Sequence, residues 1–273
     1  MIQFKTEHIT VFQSSLYCTT STVIQTKDLL FVVDPTWLPH EVEEIRSYVY
    51  SIQKDRPIYL FFTHSDYDHI LGYNAFPDAI SIGSIEMDQR DDKNDQIDKI
   101  KDFDSQYYLQ RDFKIKYPEL NIVVKNNGQQ LQVGETIITF YKAPGHTFDG
   151  LFAIIEPLGI FISGDYLSDV EFPYIYDNST AYEQTMKKAK ELIKKHNVTC
   201  LIPGHGHTTM DISEMNRRIE TSSTYVQETR KAVLEDREIE SYNLIKHYPF
   251  YKTMKNEHQR NFFQIKKELE KNI

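Results

Sequence analysis

The chain has 273 residues, with 31 Lys and Arg against 40 Asp and Glu, a formal charge of −9 with histidine neutral. That balance excludes a protein held to nucleic acid by its charge, and 40% apolar with 26% charged residues excludes disordered and fibrous folds. A chain of this length buries roughly three quarters of its extended surface, so one large domain needs no disulfide framework. Cys18 and Cys200, in no C-x-x-C pattern, read as buried thiols.

Residues 9–33 are rich in Val, Ile, Thr, Phe and Tyr, with a polar break at Lys27-Asp28, and predict two or three opening strands. Pro39 then begins a segment whose Val42, Ile45, Val49 and Ile52 fall on one helical face, with Glu41, Glu43 and Glu44 near the positive end of the helix dipole. Arg56-Pro57 ends it. Ile58-Tyr59-Leu60-Phe61-Phe62 is a continuous apolar run, the mark of a strand buried on both faces. Residues 86–120 interleave Asp88, Asp91, Asp92, Asp95 and Asp98 with Lys and Arg and read as an inserted, mostly helical segment with a solvated charged face and an aromatic end. Residues 121–125, 129–133 and 136–141, divided by Asn126-Asn127-Gly128 and Gly134-Glu135, read as a meander of β-hairpins, and 151–163 as another hairpin. Thr180-Ala181-Tyr182-Glu183 has the form of a capping box, opening a helix that ends at Asn197 before one more buried strand, 198–202. From Asp211 onward the periodicity is helical, with a last helix over about 256–271. No basic segment precedes a signal-length apolar run, and Glu156 interrupts the most apolar stretch, which predicts a cytoplasmic protein with no membrane span.

The chemistry-bearing residues cluster just past predicted strand ends. His64-Ser65-Asp66-Tyr67-Asp68-His69 follows the first buried strand, His146 stands in Ala143-Pro144-Gly145-His146, Asp165 in Ser163-Gly164-Asp165, and His205 in Pro203-Gly204-His205-Gly206. Strand ends present groups from a rigid sheet to a shared cleft. A first-row divalent ion accepts imidazole nitrogen and carboxylate oxygen from several directions at once, and the adjacent glycines let the backbone turn close to it. Singly each piece reads as an ordinary turn; together and in this order they point to a metal site.

In these motifs the sequence resembles the metallo-β-lactamase superfamily of hydrolases over about residues 9–210. The resemblance implies an α/β fold, a four-layer αββα sandwich, taken here as residues 1–212; the residue patterns add to it the helical insertion at 86–120 and a helical C-terminal extension, 213–273, expected to pack on it. It further implies two divalent ions. His64 and His146 would serve one, Asp68, His69 and His205 the other, and Asp165 would bridge both. Asp34, in Val33-Asp34-Pro35, would support the metal loop from behind. One departure stands out, since Asp66 replaces the family's second histidine; the same variant loop resembles that of the hydrolase-like domain of bacterial DNA-uptake channel proteins. If the loop is extended, parity sets 64, 66 and 68 on one side, and Asp66 then supplies a harder, anionic oxygen that lowers Lewis acidity and shifts preference from zinc toward manganese or iron. In the other reading Asp66 points away and one site fills.

The expected activity is attack by metal-bound hydroxide on a small ester, thioester, lactone or phosphoester, with Asp68 orienting the water and Asp165 bridging the ions. An iron-dependent oxidoreductase of the same fold and a degenerate single-metal, non-catalytic module remain the alternatives. Tyr174 and Tyr176, after Asp165, are candidates to face a small-molecule substrate. His207 is either a contact behind the site or a solvated loop residue. Tyr67 should point away from the ions by parity, and His8, His40, His196, His247 and His258 should lie at the surface or at helix ends.

Overall fold

Alternation along the strands decides which neighbours each side chain meets, and the computed structural model, which describes residues 1–271, turns that alternation into two stacked sheets. The first half of the chain runs β1 (Ile2–Lys5), β2 (Ile9–Gln13), β3 (Thr20–Gln25), β4 (Leu30–Val33), α1 (Pro39–Gln53), β5 (Ile58–Phe61), α2 (Tyr67–Ile70), β6 (Ile80–Ser84), α3 (Ile85–Gln89), α4 (Lys93–Gln106) and β7 (Ile122–Val124). The second half runs β8 (Gln129–Val133), β9 (Thr136–Lys142), β10 (Leu151–Glu156), β11 (Ile160–Gly164), α5 (Ser179–Lys195), β12 (Cys200–Pro203), α6 (Ile212–Leu234), α7 (Glu238–Ser241) and α8 (Lys255–Glu270). Strands β1 to β7 form one seven-stranded sheet in sequence order, and β12-β11-β10-β9-β8 a five-stranded one.

Three apolar layers hold the four structural layers together. Between the sheets, Phe31 and Val33 of β4 and Phe61 of β5 meet Phe140 of β9 and Ile155 of β10. The alternate residues Leu30, Val32 and Leu60 turn outward onto Val42, Ile45 and Val49 of α1. On the far side, Phe152, Ile154 and Phe161 pack against Tyr182, Met186 and Ala189 of α5, then against Ile219, Val226 and Ile265 of the C-terminal helices. The αββα sandwich and a helical C-terminal region are therefore present, and α6 and α8 share an apolar core with the second sheet.

Several local expectations need correcting. The run at 122–124 is not the first arm of a hairpin: β7 pairs parallel with β6 in the first sheet, and Asn126-Asn127-Gly128 carries the chain across to the second. Strand β6 has no forecast at all, because Gly83 and two serines dilute its apolar signal. The insertion is helical over α3 and α4 only; residues 107–121 have no regular structure. Helix α5 starts at Ser179, capped by Asn178, whose side chain accepts from the Ala181 N–H, so the capping-box reading of Thr180 and Glu183 is displaced by two residues. Cys200 is buried, but Cys18 is only partly so. His258 is buried outright, between the Tyr225 hydroxyl and the Ser241 hydroxyl.

Candidate metal centre

The parallel pairing of Val33 with Phe61 brings the ends of β4 and β5 level, so Asp34 and the loop 62–66 emerge side by side. Asp34 accepts from the Thr63 N–H at 3.0 Å and the Thr63 hydroxyl at 2.6 Å, which pins the start of the loop. The second sheet contributes its own strand ends. The Leu151 N–H bonds Thr63 O at 2.7 Å, tying β10 to the loop, and Gly204 N–H bonds Gly164 O at 2.6 Å, setting Asp165 beside His205. Gly204 has to be glycine: a Cβ there would lie 2.3 Å from Asp165 Oδ1.

These strand ends gather seven side chains on one floor. His64, Asp66 and His146 form one cluster of donor atoms, Asp68, His69 and His205 a second, and His64, His69 and Asp165 a third that overlaps both. His146 Nε2 lies 3.7 Å from Asp66 Oδ2 and 3.3 Å from Asp165 Oδ2. His205 Nε2 lies 3.6 Å from Asp68 Oδ2 and 3.3 Å from the same Asp165 Oδ2, while His69 Nε2 is 3.1 Å from Asp165 Oδ1. Asp165 thus stands between the two outer triads. Asp66 joins the first of them, but not by the parity first used. The loop is extended only as far as Asp66, which precedes the short helix α2 without a side-chain capping bond, and Asp68 and His69 sit on that helical turn. The same turn sets Tyr67 edge-on against Trp37, packed on the core beside α1 and reaching the cavity wall as well.

The outer nitrogens decide what the inner ones can do. His69 Nδ1 faces Asp34 Oδ2 at 2.9 Å, His146 Nδ1 the Tyr174 carbonyl at 2.9 Å, and His205 Nδ1 the Tyr17 carbonyl at 2.9 Å. Each partner can only accept, so each Nδ1 carries the hydrogen. Thr63 gives its own proton to Asp34 and so accepts from His64 Nδ1 at 3.0 Å. In the neutral rings all four Nε2 lone pairs therefore point inward, and Nε2 of His64, His69 and His146, together with Asp165 Oδ1, are buried with no hydrogen-bond partner. That donor set, imidazole nitrogens oriented from behind and carboxylate oxygens among them, fits divalent cations.

Burial and neighbouring charges pull these groups in opposite directions. Burial opposes charge on His146 and His205, yet Asp165 outweighs it and lifts them to about 9 and about 10. His64 is driven well down, first by burial and then by the neighbouring imidazoles, and burial raises Asp66 to about 6. Burial also works against the Asp165 carboxylate, but the surrounding histidines hold it well below the ordinary range. Binding a divalent cation to these nitrogens and oxygens would compete with their protons, so affinity there would fall as pH falls.

Above the floor lies a cavity of about 950 Å³ whose walls include Tyr17, Trp37, Tyr67, Tyr174 and Tyr176. Tyr174 and Tyr176, the candidates to face substrate, are among these walls. His207 does not: its side chain is 58% exposed and its Nδ1 is paired with Asp169 at 2.9 Å. Sequence reasoning missed Glu171, a carboxylate on the cavity wall that burial pushes up to about 7. It missed as well the pair behind the metal loop, Asp149, which accepts from the Ser65 N–H at 3.1 Å, and Arg90, which bonds the Ser65 hydroxyl. Neither has a spacing signal, since each acts through a loop that folds back from another element.

A sandwich whose strand-end loops gather four histidines and three aspartates beneath one cavity defines the class. Residues 19–212 match the family described as the metallo-beta-lactamase superfamily, and the chain belongs to it. Among solved structures, it is similar to ETHE1 from Myxococcus xanthus, with 17% identity over 79% of this chain and 84% of that one and a TM-score of 0.56. It is similar also to the metallo-beta-lactamase family protein TTHA1429 from Thermus thermophilus, with 13% identity over 93% and 92% of the two chains and a TM-score of 0.63. The sec-alkylsulfatase Pisa1 from Pseudomonas sp. gives 10% identity over 85% of this chain and 42% of its own, with a TM-score of 0.66. Identities this low establish a common fold. Comparison with curated protein sequences gives no match. Among the described residues no helix is long and apolar enough to cross a membrane.

Proposed function

We propose that the protein is a metal-dependent hydrolase of a small, partly apolar ester, thioester, lactone or phosphoester. The observation that carries this reading is the convergence of four inward-facing Nε2 atoms and three carboxylates at the floor of the cavity. His64, Asp66 and His146 would hold one divalent ion, Asp68, His69 and His205 a second, with Asp165 serving both. Zinc, manganese or iron bound there would polarise the scissile carbonyl or phosphoryl oxygen and bring the pKa of a water near neutrality.

The remaining chemistry belongs to the chain's own groups. Asp68, at the edge of the floor and 15% exposed, orients the attacking water through its carboxylate and passes the proton to the leaving group. Asp34 keeps His69 in the tautomer that leaves Nε2 open. Tyr17, Phe148, Tyr176 and Phe250 are exposed apolar rings that also line the cavity, and they receive the apolar part of the substrate.

Elemental analysis of the purified protein, followed by a panel of ester, thioester, lactone, phosphodiester and sulfate ester substrates, tests the reading. Sulfate esters join the panel because an alkylsulfatase shares the fold. Bound metal with hydrolysis of at least one class is expected, and Asp165→Ala and His69→Ala should lose metal and turnover together. Full activity in either variant would sink the assignment. One iron per chain with no hydrolysis of any class would instead favour an oxidoreductase.

A further inference from the structure

Helix α8 lies outside the matched family region, yet it reaches the metal centre through a strap of backbone. Residues 173–178 have no regular secondary structure and pass between His146 and α8. On the inner side, the Tyr174 carbonyl accepts from His146 Nδ1 at 2.9 Å. The N–H groups of Tyr176 and Asp177 bond the His146 carbonyl at 2.9 and 3.1 Å. The imidazole and the backbone of one histidine are thus both held by the strap.

On the outer side, four residues of α8 spaced by 4, 3 and 4 positions grip the same segment and its continuation. Tyr176 donates to Glu257 at 3.1 Å, Gln264 donates to the Asp177 carbonyl at 2.9 Å, and the Ser179 N–H donates to Glu268 at 3.0 Å. Between them stands Asn261, 1% exposed. Its Nδ2 donates to the Pro173 carbonyl at 2.6 Å and its Oδ1 accepts from the Ile175 N–H at 2.9 Å. Those two groups flank Tyr174, the residue whose carbonyl orients His146. Spacing of this kind places all four side chains on one helix face, and a buried amide satisfied at both ends fixes the backbone on either side of Tyr174.

We infer that Asn261 is a positioning residue for His146, and that α8 sets the affinity of the ion site formed by His64, Asp66 and His146 while leaving the other site alone. The second triad is oriented by Asp34 and the Tyr17 carbonyl, neither of which touches the strap. The inference rests on the proposed ligand sets, and its test separates the two.

Zinc is titrated into the metal-free full chain against a chromophoric chelator. His146→Ala identifies which binding step belongs to the first site. Asn261→Ala should weaken that step by about 10-fold and leave the other within about twofold. Gln264→Ala, which removes one outer bond from a half-buried position, should weaken the same step less, and it serves if Asn261→Ala fails to fold. Ile265→Ala, a fully buried core residue of the same helix, reports what simple loss of packing does; it should lower the unfolding midpoint and shift neither step. Wild-type affinities in Asn261→Ala and Gln264→Ala would overturn the inference, as would equal weakening of both steps with Ile265→Ala doing the same. A wild-type chain that binds no zinc, manganese or iron would overturn the proposed ligand sets themselves.

Discussion

His258 offers a stability measurement that needs no substrate. The ring is buried, with Nδ1 on the Tyr225 hydroxyl and Nε2 on the Ser241 hydroxyl, each at 2.8 Å, and the Tyr242 ring packs against it at 4.8 Å. Burial pushes it from the ordinary 6.5 down to about 4, against a smaller opposing pull from Glu238. The folded pKa is the lower one, so between pH 6.5 and 4 the unfolded chain takes up a proton that the folded chain refuses. Stability is therefore lost as pH falls through that window. Between about pH 7 and pH 5 the difference is about 2 kcal/mol. The comparison is urea unfolding of metal-free wild type and His258→Gln at both pH values. Glutamine keeps a polar partner for the two hydroxyls and does not titrate, and the histidines of the candidate metal centre contribute alike to both proteins. The wild type should lose about 2 kcal/mol more than the variant on going to about pH 5. Equal losses would show that His258 is already protonated in the folded state at the lower pH and would refute the reasoning.

Two other outcomes concern the site itself. Asp34→Asn puts an amide where three donors converge from Thr63 and His69; it should weaken metal binding about 10- to 100-fold, read by chelator competition, and unchanged affinity would remove Asp34 from its supporting role. If the rings at the cavity mouth receive an apolar group, kcat/KM along a series of alkanoate esters should rise about fourfold per added methylene. Phe148→Ala and Phe250→Ala should flatten that rise, and a series already flat in the wild type would contradict it.

Much of this architecture is legible in the sequence because burial and function leave periodic or clustered traces. The run from Ile58 to Phe62 is apolar at every position because β5 packs on both faces, and the stripe of α1 is written in Val42, Ile45 and Val49. The metal-site candidates could be picked out because histidines and aspartates rarely collect next to glycines at strand ends without a reason. What escaped depends on contacts remote in sequence. Strand β7 looks like a hairpin arm, and only its parallel register with β6 assigns it to the other sheet. His258 looks like a polar residue of an exposed helix until α6 and α7 close over it. Glu171, Arg90 and Asp149 carry no spacing signal, since their partners come from distant loops. Asn261 is one more asparagine in a helix until the strap it clamps is in view.

The donor atoms of the floor are divided between the halves of the sandwich. His64, Asp66, Asp68 and His69 hang from the seven-stranded sheet, while His146, Asp165 and His205 hang from the five-stranded one. Any ion captured there stitches the two leaves together at their open edge. Binding there would add to the free energy of the closed form roughly as the logarithm of free ion over its dissociation constant. Loss of such an ion would remove that contribution alone, since the sheets also meet through their own apolar core behind the floor.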